Sequence, residues 1–178
     1  MVRRRPLLLG SLTAAACGGA DPRGTRSGGE GANAGQAPAG RPERRFRFAS
    51  LAGPVVTHEN YRGRMTVILL AATYDAGSQV QARFVESVVR RHTPRINALM
   101  VVLEPPQNAP LVEAFAASLA LSYDVAFADA ATIAGEGPFP GLHHVPSLLL
   151  LDRDGREVWR RLGLVERGPL SDTIRAYQ

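Results

Sequence analysis

Cysteine occurs once in the 178 residues, at Cys17, and lysine does not occur at all. With a single thiol the chain has no second sulfur to close an internal disulfide or to resolve a mixed one, so dithiol–disulfide exchange by the chain alone is excluded. Without lysine, Schiff-base catalysis is excluded too. Also missing are a phosphate-cradling glycine loop between a strand and a helix, a serine nucleophile elbow, and a pair of carboxylates set in a known motif. Excess charge is absent from most of the chain as well. The formal charge is +5, and all 21 basic residues are arginine. Eight arginines (Arg3, Arg4, Arg5, Arg23, Arg26, Arg41, Arg44, Arg45) and three acids (Asp21, Glu30, Glu43) precede Phe46, which leaves 13 of each sign from Phe46 onward. A neutral globular part has no electrostatic footprint for nucleic acid, and that partner class is excluded.

What is present begins with an export signal over residues 1–16. Arg3-Arg4-Arg5 is a positive n-region, Pro6 to Leu12 a short apolar stretch, and Thr13-Ala14-Ala15-Ala16 a run of small residues. The apolar stretch falls far short of the ~20 residues that cross a bilayer. Small residues directly before Cys17 resemble the lipobox of bacterial lipoproteins, although Ala14 stands where that motif usually has Leu. The resemblance implies acylation of the Cys17 thiol and a lipid membrane as partner. Gly18 rather than Asp after the cysteine implies the outer membrane. Cleavage at an Ala-x-Ala site, with Cys17 left as a stray thiol, is the alternative. Residues 17–45 are rich in Gly, Ala, Arg and Pro without apolar periodicity, the composition of a disordered tether. Its reach is roughly 30 Å.

From 46 to 178 the pattern alternates between strand-like and helix-like runs. Continuous apolar runs at Met65–Ala71 and Ile96–Leu103 predict buried strands. Ser78–His92 has helical spacing through Val80, Phe84 and Val88, flanked by Val85 and Val89. A second helix is expected over Asn108–Leu121, with Leu111, Phe115 and Leu119 on its stripe and Val112 and Ala116 beside them. Val125–Ala128 predicts a short strand, and a Gly/Pro-rich irregular stretch follows from Gly135 to Gly141. Ser147–Leu151 and Arg156–Leu162 flank the turn Asp152-Arg153-Asp154-Gly155 as a hairpin, and Pro169–Tyr177 predicts a closing helix. The fold class is therefore α/β, with a central mixed sheet and helices on both faces.

Four features in order carry a resemblance to a known family. They are Phe46-x-Phe48-x-x-Leu51-x-Gly53 with Tyr61-Arg62-Gly63-Arg64, the strand end Leu70-Ala71-Ala72-Thr73-Tyr74, the segment Val145-Pro146-Ser147, and Leu151-Asp152-Arg153-Asp154-Gly155-Arg156 with Gly163 beyond. Together they resemble the thioredoxin-like proteins of the bacterial TlpA/redoxin type, whose fold has an N-terminal hairpin extension. The resemblance implies a cis-proline at Pro146 and a peptide-binding surface made of Tyr74, Asp75, Val145 and Pro146. It breaks where the chemistry belongs. The family's Cys-x-x-Cys falls on Asp75-Ala76-Gly77-Ser78, so the redox couple is gone and no catalytic residue is expected. Asp75 is instead a strong helix N-cap, and a separate activity centred on it is the alternative.

His143-His144 near Pro146 resembles part of a Sco-type copper site, but both cysteines of that site are missing, and metal sites usually take three or four ligands. His58 and His92 stand apart with no carboxylate at ligand spacing. Peroxiredoxin chemistry lacks its cysteine after Thr73. The expectation is a lipid-anchored module of the cell envelope, exposed to the periplasm or the cell surface. It would hold a peptide or an envelope protein without thiol chemistry, and no cofactor is implied. An oxidoreductase relative acting through a partner's cysteines, and a Sco-like metallochaperone, are the alternatives.

Overall fold

Three unbroken apolar runs form the middle of a seven-stranded sheet in the computed structural model, which describes residues 42–178. They are β3 (Met65–Ala71), β4 (Ile96–Val102) and β6 (Ser147–Leu151), and side chains on both faces of each are buried, as a central strand requires. Around them lie β1 (Arg47–Ser50), β2 (Val56–Thr57), β5 (Asp124–Phe127) and β7 (Glu157–Leu162), in the order β2-β1-β5-β4-β3-β6-β7. β3, β4 and β5 are parallel neighbours, whereas β6 runs antiparallel to β3 and β7 antiparallel to β6. The sheet is thus mixed, with β2 and β7 at its edges. The signal peptide over 1–16, the acylation site Cys17 and most of the tether lie outside the described residues.

The two faces are covered unequally. α1 (Ala76–His92), α2 (Ala109–Ser118) and α4 (Arg167–Tyr177) pack on one core cluster through Val85, Val88, Val112, Phe115, Leu170 and Ile174. The other face is closed by Phe46 and Phe48, by Tyr61 at the end of a 3-10 turn (His58–Tyr61), and by Phe139 and Leu142. A four-residue helix, α3 (Ala130–Ile133), not expected from the apolar spacing, opens the segment that carries Phe139 and Leu142.

Both helix stripes differ from the expected ones. Val80 and Leu111 are exposed, while Ser78, Gln81 and Glu86 are buried on α1 and Val112 and Phe115 on α2. On α1 the buried polar side chains account for the shift: Ser78 holds the turn just before the helix, and Gln81 and Glu86 satisfy backbone groups of distant segments. Gln81 accepts from the Val165 N–H (2.7 Å) and donates to the Val165 carbonyl (3.1 Å), which fixes the chain ahead of α4. Glu86 accepts from the Ser122 N–H (2.8 Å) and hydroxyl and pairs with Arg90. The α2 helix ends at Ser118, short of the expected Leu121.

The first contacts with the domain come earlier than Phe46. Glu43 bridges Arg156 in antiparallel fashion, the Arg44 N–H donates to the Gly155 carbonyl (2.8 Å), and the Arg44 guanidinium pairs with Glu157 (2.9 Å). Glu43 to Arg45, assigned to the tether by composition, therefore belong to the folded part. Their charges have specific partners, Arg44 with Glu157 and Glu43 with Arg62 and Arg45.

At the other end of α1, buried His92 shares a hydrogen bond of 3.1 Å with the Ser171 hydroxyl of α4. Burial pushes its pKa below the ordinary 6.5, and Arg175, Arg95 and Arg91 push it further. The unfolded chain then takes up a proton below pH 6.5 that the folded chain resists. Stability is accordingly complete above that pH and falls as the pH drops through the folded value. Replacing His92→Gln keeps a polar partner for Ser171 and removes the titration. The urea midpoint of that variant should change less than the parent's between about pH 7 and about pH 5. Equal changes in both proteins would show that His92 does not couple to folding.

Candidate functional site

The site lies at the carboxyl end of β3. After Ala71 the chain turns through Ala72 to Tyr74 and enters α1 with Asp75 as N-cap in extended conformation (φ −100°, ψ 119°). The Asp75 carboxylate accepts from the Ser78 N–H at 2.6 Å and from the Ser78 hydroxyl at 2.7 Å. That hydroxyl in turn accepts from the Ala72 N–H at 3.2 Å. One side-chain pair thus satisfies an orphan donor of the helix and a backbone group of the turn, and the helix dipole favours the negative charge placed there. Ser78 is fully buried by these contacts. Both side chains are thus tied into the turn, Asp75 through Oδ2 and Ser78 through its hydroxyl.

Glycine at 77 has a local reason. A Cβ there would lie 3.1 Å from Pro146 Cδ and 3.2 Å from Asp75 Oδ2, so the first turn of α1 sits directly against the proline ring. The Val145–Pro146 peptide bond is cis, and a second cis bond, Thr93–Pro94, follows α1. The Pro146 carbonyl accepts from the Gly163 N–H (2.8 Å), and the Ser147 hydroxyl donates to the His144 carbonyl (2.6 Å). Four candidate residues from two distant stretches are thereby gathered around one contact. Tyr74 is 78% exposed, Asp75 and Val145 are half-buried, and Pro146 is buried beneath them.

The sequence reading missed Glu104, which had served only to end a strand. Its carboxylate is buried, accepts from the Thr73 N–H at 2.5 Å and from the Asn108 amide at 2.8 Å, and so supports the turn below Tyr74 from inside. Burial opposes its ionisation, but the Thr73 and Asn108 donors outweigh burial and hold the carboxyl below its usual range. The available signal was an acidic residue directly after six apolar ones, Ala98 to Leu103, where a charge needs partners. His143 and His144 are exposed, with ring centroids 4.2 Å apart. Among the described residues no group of three or more His, Cys, Asp or Glu is gathered closely enough to hold a metal ion. Nor is any helix there long and apolar enough to cross a membrane.

Several solved structures share this arrangement. A thioredoxin family thiol:disulfide interchange protein from Chlorobium tepidum superposes with a TM-score of 0.68 at 13% identity, over 77% of this chain and 95% of that one. A DsbF homologue from Corynebacterium diphtheriae gives 0.66 at 17% identity, over 76% and 85%. An exposed lipoprotein thioredoxin from Streptococcus pneumoniae gives 0.60 at 14% identity, over 74% and 98%. The chain has the thioredoxin-like fold of these DsbE-, DsbF- and TlpA-like proteins. No protein-family profile matches the sequence, and no curated protein does.

Proposed function

We propose that this chain is a membrane-anchored thioredoxin-like domain of the bacterial cell envelope that holds an extended peptide or a partner protein without exchanging electrons. The observation that carries the reading is the head of α1. There, against Pro146, stand a carboxylate and a hydroxyl bonded to each other, and the only sulfhydryl of the sequence is at Cys17. What the site retains is shape: an exposed Tyr74, the half-buried Val145, and backbone beside Pro146. Cys17, acylated, would hold the domain in the periplasm or at the cell surface, with the outer membrane favoured. Solved relatives described as a secreted disulfide oxidoreductase and as an exposed lipoprotein support export. Relatives described as thiol:disulfide interchange proteins support the second reading, an oxidoreductase that works through a partner's cysteines.

Two measurements test the proposal. The intact mass of the processed protein should show acyl chains on Cys17; an unmodified thiol would remove the anchor. In pull-downs from envelope extract with the Cys17→Ser chain, Asp75→Arg and Val145→Asp should each weaken capture of the retained partners at least about tenfold, as truncating a central contact does. Retention of every partner by both variants would rule out this surface. Faster insulin reduction by a dithiol donor when the Cys17→Ser chain is added than with the donor alone would decide for the oxidoreductase reading.

A further inference from the structure

The surface beside Pro146 continues along α1. The hydrogen bond from Gly163 to the Pro146 carbonyl places Gly163 and Leu164 next to the cis-proline, and Gln81 holds Val165 against α1 from inside. The chain from Leu164 to Gly168 therefore runs beside α1. Between the two lies an open cleft of about 440 Å³, lined by Phe84, Arg91, Leu164, Glu166, Arg167 and Gly168. Gly77 touches the proline ring at one end of this path, and Arg91 stands at the other. From Gly77 to Arg91 the helix advances about 21 Å, a distance that an extended peptide covers in about six residues.

Two kinds of group are left open along it. Val80 and Phe84 are neighbours on one stripe of α1, Phe84 and Leu164 share the cleft, and Val80 and Leu164 are exposed. Contiguous apolar surface of this kind marks an interaction site. The charge beyond it is mainly positive. Arg91 and Arg167 line the cleft, and Arg83 stands on the outer flank of α1, three residues after Val80. Among the described residues none of these three guanidinium groups makes an ion pair or a hydrogen bond; that of Arg167 lies 5.8 Å from the Phe84 ring centre. The one acid of the lining, Glu166, is the N-cap of α4, where the helix dipole favours its charge. Two guanidinium groups against one carboxylate leave the cleft net positive, and guanidinium forks match carboxylates bidentately.

We propose that the candidate site continues into this groove and takes an extended peptide that is apolar along Val80, Phe84 and Leu164 and carries an acidic side chain for Arg91 and Arg167, about six residues from the one beside Pro146. The inference rests on the peptide-binding reading above and names the class of peptide.

The full chain carrying Cys17→Ser is used to select from a phage-displayed library of random twelve-residue peptides, and the most enriched ones are synthesised and titrated by fluorescence anisotropy. Enriched sequences should join an apolar stretch to an Asp or Glu at one end. Arg91→Glu/Arg167→Glu and, separately, Leu164→Asp should each weaken binding at least about tenfold. The Glu double variant should in turn prefer the same peptides with their acids replaced by Lys. Arg95→Glu/Arg153→Glu, at the opposite end of the sheet, should stay within about twofold of the parent.

No enrichment, enrichment of peptides without acids, an equal loss in the control, or unchanged binding by the Glu double variant overturns the proposal. So does a concentration-dependent dimer that Leu164→Asp dissolves, because the groove would then belong to a second copy. Loss of binding with Asp75→Arg and Val145→Asp but not with the arginine pair refutes the groove and keeps the site. Loss with the arginine pair alone keeps the groove and removes the site.

Discussion

Asp75→Cys combined with Ser78→Cys, in the Cys17→Ser background, should give insulin reduction at least about tenfold above the no-protein rate, where the parent gives none. The side-chain tips at these positions already touch, with Asp75 Oδ2 and Ser78 Oγ 2.7 Å apart. Two sulfurs placed there are within reach of a disulfide, provided the backbone keeps its present course. Position 75 is the N-cap of α1, where unpaired N–H groups and the helix dipole lower a thiol's pKa and supply thiolate. Pro146 lies against the first turn through Gly77, so the added dithiol would sit beside the backbone that a bound peptide meets. Oxidation should close one intramolecular disulfide, seen as the loss of two hydrogens by mass. If the dithiol does not close, or closes without turnover, these positions are not the family's Cys-x-x-Cys positions, and the account of a converted site fails with them.

The second large effect is on stability. Gln81→Leu should lower the unfolding free energy by roughly 2–5 kcal/mol, because it leaves the Val165 N–H and carbonyl buried without partners, at about 1–3 kcal/mol each. The side chain is completely buried and its volume is nearly kept, so cavity formation contributes little. Urea unfolding should show a lower midpoint with an unchanged slope. A loss below about 0.5 kcal/mol, as for an ordinary surface substitution, would mean that water replaces the amide and that α4 is not held through this contact.

The central strands were legible because burial on both faces leaves long apolar runs, as in Val67–Ala71 and Leu148–Leu151. The helix faces were legible only in part. Apolar spacing put Leu111 inward on α2, where that side chain is exposed, and Val80 inward on α1, whereas inward positions there are also held by Gln81 and Glu86, whose partners lie far along the chain. A periodicity argument counts such residues as surface. At the site, the Asp75–Ser78 pair was readable because a cap is a local feature. The contact between Gly77 and Pro146 joins residues from opposite halves of the domain and could not be read from spacing; only the resemblance pointed to it. Glu104 was hidden for the same reason, since its Thr73 partner lies across the sheet end.

Among the described residues β7 has one neighbouring strand, β6, and Glu43 bridges Arg156 just ahead of its first residue. A rim of that kind is a template on which a second molecule could add a strand, and from there an aggregate could grow. Arg160, paired with Glu157, and the exposed Arg161 stand consecutively on it and point to opposite faces. Two copies meeting rim to rim in antiparallel fashion would bring the Arg161 guanidinium groups toward each other, and like charges set against each other disfavour pairing at that margin.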